Sequence, residues 1–147
     1  MLEEIPLSRP DITDLEIDKV VATLRSGRLS IGPMQERFER QVASLTGRRY
    51  AVACSSGTVG LHMAMMALGI GPGDEVVTTP FSFIASANCI LYVGAKPVFV
   101  DIDPRSLNMD PARVEAAITR RTRAILAVET FGNPAHMEAY RALAARH

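Results

Sequence analysis

At 147 residues, 48% of them hydrophobic, the chain is long enough for one domain with a sizeable core. Its 16 basic and 16 acidic side chains cancel, which leaves no cationic footprint for nucleic acid or an anionic membrane surface. No apolar run reaches the roughly 20 residues of a membrane helix, and the acidic start Met1-Leu2-Glu3-Glu4 is unlike a secretory signal, so a cytoplasmic location is expected.

Thr13-Asp14-Leu15-Glu16 reads as a capping box, with Ile12 and Ile17 at the spacing of a hydrophobic staple. The helix it opens carries Ile17, Val20, Val21 and Leu24 on one stripe and stops at Gly27. Gly32-Pro33 starts a second helix, with Met34, Phe38, Val42 and Leu45 along one face and an end at Gly47. Tyr50–Ala53 reads as a short buried strand, and 58–68 as an apolar helix. Gly69-Ile70-Gly71-Pro72-Gly73-Asp74 is a tight reversal. Strand Glu75–Thr79, a helix from about Ser82 to Tyr92 and strand Pro97–Ile102 follow. Asp110-Pro111 opens a short helix, Arg123–Val128 is a strand, and Ala135–Arg146 is the last helix.

Four strands alternating with helices predict an α/β fold: a mainly parallel sheet with helices on both faces, in three layers. Ligands of such sheets gather beyond the carboxyl ends of the strands. The loops there are Cys54–Thr58, Thr79–Ser82, Asp101–Asp103 and Glu129–Pro134. The first is the most informative. Ser55-Ser56-Gly57-Thr58 joins a strand to a helix, and a helix start offers unpaired N–H groups and about half a positive charge. Gly57 has no Cβ to obstruct an approaching group, so the turn is a candidate phosphate site. The bland alternative is a Ser or Thr cap on a buried helix.

Several further features read as structural. Asp101 and Asp103 end a strand beside Pro104, where carboxylates cap turns, and His62 is a packed side chain. Gly69-x-Gly71-x-Gly73 closes a helix and is no dinucleotide fingerprint. Cys54 and Cys89 lack metal-ligand spacing and are expected to be reduced, buried thiols.

Five fragments in order carry a resemblance: Gly32-Pro33; Ser55-Ser56-Gly57-Thr58; Gly71–Val76 with Thr79-Pro80-Phe81-Ser82-Phe83; Gly94–Asp103; and Phe131-Gly132-Asn133-Pro134. From about Pro6 onward the chain resembles the DegT/DnrJ/StrS group of nucleotide-sugar aminotransferases, pyridoxal-phosphate enzymes of the aspartate-aminotransferase fold (fold type I). The resemblance implies that residues 1–147 are the N-terminal portion of the large, cofactor-binding domain, without the region of the catalytic lysine or the small C-terminal domain. It places the cofactor phosphate at Ser56, Gly57 and Thr58, and an aromatic face, Phe83, against the pyridine ring. Asn133 and Gly32 are implied to lie on the substrate side. A core position for Phe83 and a turn-forming role for Asn133 remain open alternatives. The implied reaction moves an amino group from glutamate to a keto-sugar nucleotide, in a homodimer. Some relatives act instead as sugar dehydratases on pyridoxamine phosphate, and the chain alone could be an inactive piece serving only as a binding or assembly module.

Transamination needs a lysine to hold the cofactor and shuttle a proton. Lys19, on an early amphipathic helix, and Lys96, at a strand entry, do not match the family's lysine. No residue here is therefore assigned as catalytic, and the 147 residues alone are expected to be inactive and to self-associate.

Overall fold

The computed structural model describes residues 5, 6 and 8–147; the acidic start lies outside them. The chain forms two compact units, one reaching to Ala53 and the other running from Cys54 to His147.

The first unit holds two helices. Helix α1 spans Asp14–Arg25 and opens with the expected capping box: Thr13 Oγ1 accepts from the Leu15 N–H, and the Thr13 N–H donates to Glu16 Oε2 at 2.7 Å. Those bonds hold the Glu16 carboxyl below its usual pKa, with the Thr13 hydroxyl as the largest cause. Helix α2 spans Pro33–Thr46, with Pro33 preset for the first turn. It ends on Gly47 at φ 64°, a left-handed step that lets the Arg48 N–H return to the Ala43 carbonyl. Ala43 is the one buried residue of the two helices.

The expected strand at Tyr50–Ala53 does not form: these residues are unpaired coil, and Tyr50 and Val52 are 73% and 70% exposed. A strand exists by pairing, and among the described residues no ladder partner reaches this segment. The segment is held by an Ala53 N–H donated to Glu39 Oε1 at 2.9 Å. The apolar run is real, but the local sequence cannot supply a neighbour.

The second unit is the α/β body. It runs α3 (Gly57–Ala67), β1 (Glu75–Thr78), α4 (Ala85–Tyr92), β2 (Lys96–Phe99), α5 (Pro111–Ala117), β3 (Thr122–Ile125), a 3₁₀ turn at Thr130–Gly132, and α6 (Met137–Arg146). The sheet has three strands rather than four, all parallel, in the order β2-β1-β3. Central β1 is buried at every residue, as a parallel strand covered on both faces must be.

Successive side chains of a strand point to opposite faces, so adjacent Val76 and Val77 serve different cores. Val76 packs with Met65 of α3, Ile70, and Cys89 and Ile90 of α4. Val77 packs with Val100, Met109, Val114 of α5, and Tyr140 and Leu143 of α6. Helices therefore cover both faces, and the three-layer expectation holds. Both valines are fully buried. Each contributes about 1.5–3 kcal/mol of transfer free energy to one face of the sheet.

Candidate functional site

Helix α3 precedes β1 and leads into its amino end through the Gly69–Asp74 turn, which puts the start of α3 toward the carboxyl end of β1. Ser56 is the N-cap: its backbone is extended, and its hydroxyl accepts from the Val59 N–H at 3.2 Å. The Gly60 N–H bonds the Ser56 carbonyl. Among the described residues the N–H groups of Gly57 and Thr58 have no acceptor. These are the orphan donors of a helix start, and they face outward. A Cβ built on Gly57 would meet no atom within 4 Å, so the glycine borders open space rather than a packed neighbour.

The strand-end segment after β1 brings Phe83 to the same place. Gly57, Thr58, Gly60, Leu61, Phe83, Ala85 and Ser86 line one depression of about 560 Å³. Phe83 is 77% exposed, so the alternative of a core phenylalanine does not hold. Ser86 contributes a hydroxyl shared with Ser82 at 2.7 Å. No lining residue is charged, so the attraction for an anion comes from neutral donors and the helix dipole alone.

Phe83 also borders a second depression of about 530 Å³, shared with Pro80, Phe81, Ser82, Val128, Glu129, Thr130 and Phe131. Asn133 lines neither. Its side chain donates to the Ser106 carbonyl at 3.4 Å, and its own carbonyl accepts from Asn108 Nδ2 at 2.7 Å. Gly32 belongs to the first unit, as the N-cap of α2; a Cβ there would lie 3.0 Å from the Arg28 carbonyl oxygen. The structure thus brings Gly57, Thr58 and Phe83 together, with Ser56 capping the same turn, and does not bring Asn133 into that group.

The residues read as structural behave so. Asp101 accepts from the Ile102 N–H and pairs with Arg113 at 3.4 Å. Asp103 caps the next turn through the Arg105 and Ser106 N–H groups, which hold its carboxyl below the usual range, the Arg105 bond first. His62 packs edge-on against Tyr92. Among the described residues no cluster of His, Cys, Asp or Glu could hold a metal. No described helix is long and apolar enough to cross a membrane. Both cysteines are free, but only Cys89 is buried; Cys54 is exposed. The correction follows from the missing strand: Cys54 precedes the α3 turn instead of ending a buried strand, and its thiol donates to the Ser56 carbonyl.

Sequence reasoning missed Asn108. It is 1% exposed, and its carboxamide bonds three backbone groups across the Thr130–Ala135 segment. Nothing in Leu107-Asn108-Met109 marks it, because its partners are backbone atoms more than twenty residues away.

The comparisons with known proteins bear on the family and the fold. A profile of the DegT/DnrJ/EryC1/StrS aminotransferase family matches residues 10–147. The chain belongs to that family. It is 47% identical over 143 residues to the spore coat polysaccharide biosynthesis protein SpsC of Bacillus subtilis, covering 97% of this chain and 37% of that protein. An aminotransferase structure from Psychrobacter cryohalolentis superposes with a TM-score of 0.91 at 38% identity, over 97% of this chain and 37% of that one. A putative sugar aminotransferase of Streptococcus pneumoniae, solved in PMP- and PLP-forms, also gives 0.91 at 38% identity, over 96% of this chain and 36% of that one for both forms. The chain therefore spans less than two-fifths of the length of these relatives. The family and the α/β fold read from the sequence are borne out, the latter as part of an aminotransferase structure.

Proposed function

We propose that this chain forms the phosphate- and ring-holding part of a pyridoxal-phosphate-dependent aminotransferase whose substrate is a keto-sugar nucleotide and whose amino donor is glutamate. The observation that carries the reading is the shared depression: two open N–H groups at the start of α3 and the exposed face of Phe83 border one space. A phosphate fits the first feature, since it accepts hydrogen bonds from N–H groups that have no other partner. A flat heteroaromatic ring fits the second, since stacking needs an accessible aromatic face. When bound, the cofactor supplies the electron sink for chemistry at the substrate's amino-bearing carbon. Residues Ser56, Gly57 and Thr58 hold its phosphate: the Ser56 hydroxyl fixes the turn, and Gly57 leaves the approach clear. Phe83 sets the plane of the ring. Proton movement falls outside this set, because no lining residue is a base.

Cofactor capture by these groups alone is weak. A helix start contributes about 0.3–1 kcal/mol for an exposed anion, and a ring contact about 0.5–1.5 kcal/mol. Together these give affinity no better than the order of ten millimolar for the chain alone. Titration with pyridoxamine 5′-phosphate, which needs no lysine, tests the reading through its own fluorescence. Gly57→Val fills the open space in front of the turn and abolishes binding while the fold persists, since no protein atom lies within 4 Å of the new Cβ. Equal binding by wild type and Gly57→Val sinks the assignment.

A further inference from the structure

Four non-glycine residues in the described chain have positive φ: Ile31, Leu107, Phe131 and His136. Three of them, Leu107 at 61°, Phe131 at 54° and His136 at 67°, surround one buried side chain, that of Asn108. Left-handed backbone is unfavourable for residues with bulky side chains and persists where surrounding contacts over-determine it. Asn108 supplies those contacts. Its Oδ1 accepts from the Thr130 N–H at 2.9 Å, one residue before Phe131. Its Nδ2 donates to the Asn133 carbonyl at 2.7 Å and to the Ala135 carbonyl at 3.5 Å, the latter one residue before His136. The Leu107 carbonyl accepts from the Thr130 hydroxyl at 3.0 Å, a second tie between the same two segments. What this segment turns outward is Phe131, 88% exposed and on the wall of the second depression beside Phe83.

We propose that Asn108 is a positioning residue: it locks the Thr130–Asn133 segment so that Phe131 is presented, in a strained conformation, at the carboxyl-end depression it shares with Phe83. The consequence for ligand binding rests on the cofactor reading above; the lock itself does not. With the ring on Phe83, the depression between Phe83 and Phe131 is the adjoining space, and a fixed Phe131 gives that space a preorganised apolar wall. Preorganisation raises affinity by removing the cost of ordering the wall when ligand arrives. Asn suits the position because it offers an acceptor and two donors on one short, planar group. Neither Leu nor Ala could satisfy the N–H and the two carbonyls.

Two variants and two readouts test this. In Asn108→Ala, amide exchange at Thr130, Gly132 and Asn133 should quicken about tenfold, as expected for losing a buried hydrogen bond in a locally opening segment. The Val100 and Leu126 amides, which bond the Thr78 and Val77 carbonyls, should not change. Asn108→Asp gives the sharper signature. As a neutral acid it accepts from Thr130 and donates to Asn133, which restores the lock. As an anion it faces two carbonyl oxygens and releases the segment. Burial and those carbonyls raise its folded pKa. Protection at Gly132 and Asn133 should therefore be present at low pH and lost as pH rises through that value, since the anion still accepts from Thr130 but no longer donates to the Asn133 carbonyl.

Wild type is measured alongside because Asp103, Glu129, Asp110 and His136 adjoin the segment; Asp103 donates its N–H to the Asn108 carbonyl, and His136 bonds Ser106. Unchanged exchange in Asn108→Ala, or no pH step in Asn108→Asp beyond that of wild type, overturns the lock. Pyridoxamine 5′-phosphate affinity should fall about tenfold in Asn108→Ala. If the segment loosens while affinity holds, the positioning role is overturned. If wild type and Gly57→Val bind pyridoxamine 5′-phosphate equally, the cofactor reading fails, and the exchange data still decide the lock.

Discussion

Lys96 Nζ lies 3.6 Å from Glu75 Oε1, joining the first residue of β2 to the first residue of β1 at the amino ends of the sheet. The carboxylate is nearly buried while the ammonium is 70% exposed. Lys96 is thus a charge partner at one end of the sheet, and the depression bordered by Gly57 and Phe83 follows from the other end. An α/β sheet keeps its ligand chemistry at the carboxyl ends, so Lys96 stands at the opposite end of the sheet from the depression.

Mixing the chain with pyridoxal phosphate should therefore yield no stable lysine-linked chromophore. Lys19, exposed on α1, should give only weak adducts lost on dialysis. Borohydride reduction followed by peptide mass analysis checks this. A stoichiometric adduct at Lys96 alone would contradict the structural role assigned to it.

Glu75 makes a pH-dependent contribution to stability. Thr119 Oγ1 donates to it at 2.6 Å and Arg121 Nη2 at 2.7 Å. These contacts hold its carboxyl below the ordinary value of 4.5, the Thr119 bond being the largest cause, against an opposing push from burial. A carboxyl with a depressed folded pKa stabilises fully above its unfolded value, and that stability is lost as pH falls through the folded value. Glu75→Gln should melt at a lower temperature than wild type at pH 7, and the gap should close as pH drops below 4.5. A gap that is constant with pH would show that the carboxylate's charge is immaterial.

How much of this was legible in the sequence varies with the range of the forces involved. The capping box at Thr13–Glu16, Pro33 at the start of α2 and the glycine stop at Gly47 are local, and all three stand as read. Strands β1 to β3 were located to within a few residues because their apolar runs are bounded by Gly, Pro and Asp punctuation. The strand at Tyr50–Ala53 failed because pairing is a long-range property. The helix start at Ser56–Thr58 was legible because its cap and its open donors belong to the turn itself. Asn108 was not, since its value lies in Thr130, Asn133 and Ala135, which the fold brings to it. Phe131 was seen only as part of a motif, because a positive φ leaves no signature in a phenylalanine.

The two thiols should separate cleanly by reactivity. Burial raises the Cys89 thiol above its usual pKa, so both access and ionisation protect it. Exposed Cys54 should react with a thiol reagent at the rate of an ordinary surface cysteine, giving one fast equivalent under native conditions and a second only on unfolding. Two fast equivalents would mean that α4 opens readily from the Val76 face of the sheet.

Assembly follows from what the second unit leaves uncovered. With the order β2-β1-β3, both β2 and β3 are edge strands, and each offers unpaired N–H and C=O groups on its outer side. On α3 only Met65 is buried; Met63 and Met66 are 40% and 61% exposed, and Leu68 just beyond the helix is 65% exposed. Leu68 also borders a groove of about 690 Å³ with Thr122, Ala124 and Ile125, running along β3. Few soluble surfaces combine an open strand edge with apolar side chains beside it, since that pairing is a template for association. The 147-residue chain should therefore self-associate at micromolar concentration, through the β3 edge and the groove beside it. Light scattering with an intact-mass measurement reads the outcome, and Leu68→Lys, which places a charge on the exposed border of that groove, should shift the population toward monomer. A monodisperse monomer of 16.0 kDa with a cooperative melt would show instead that two open edges and this apolar border are tolerated in water.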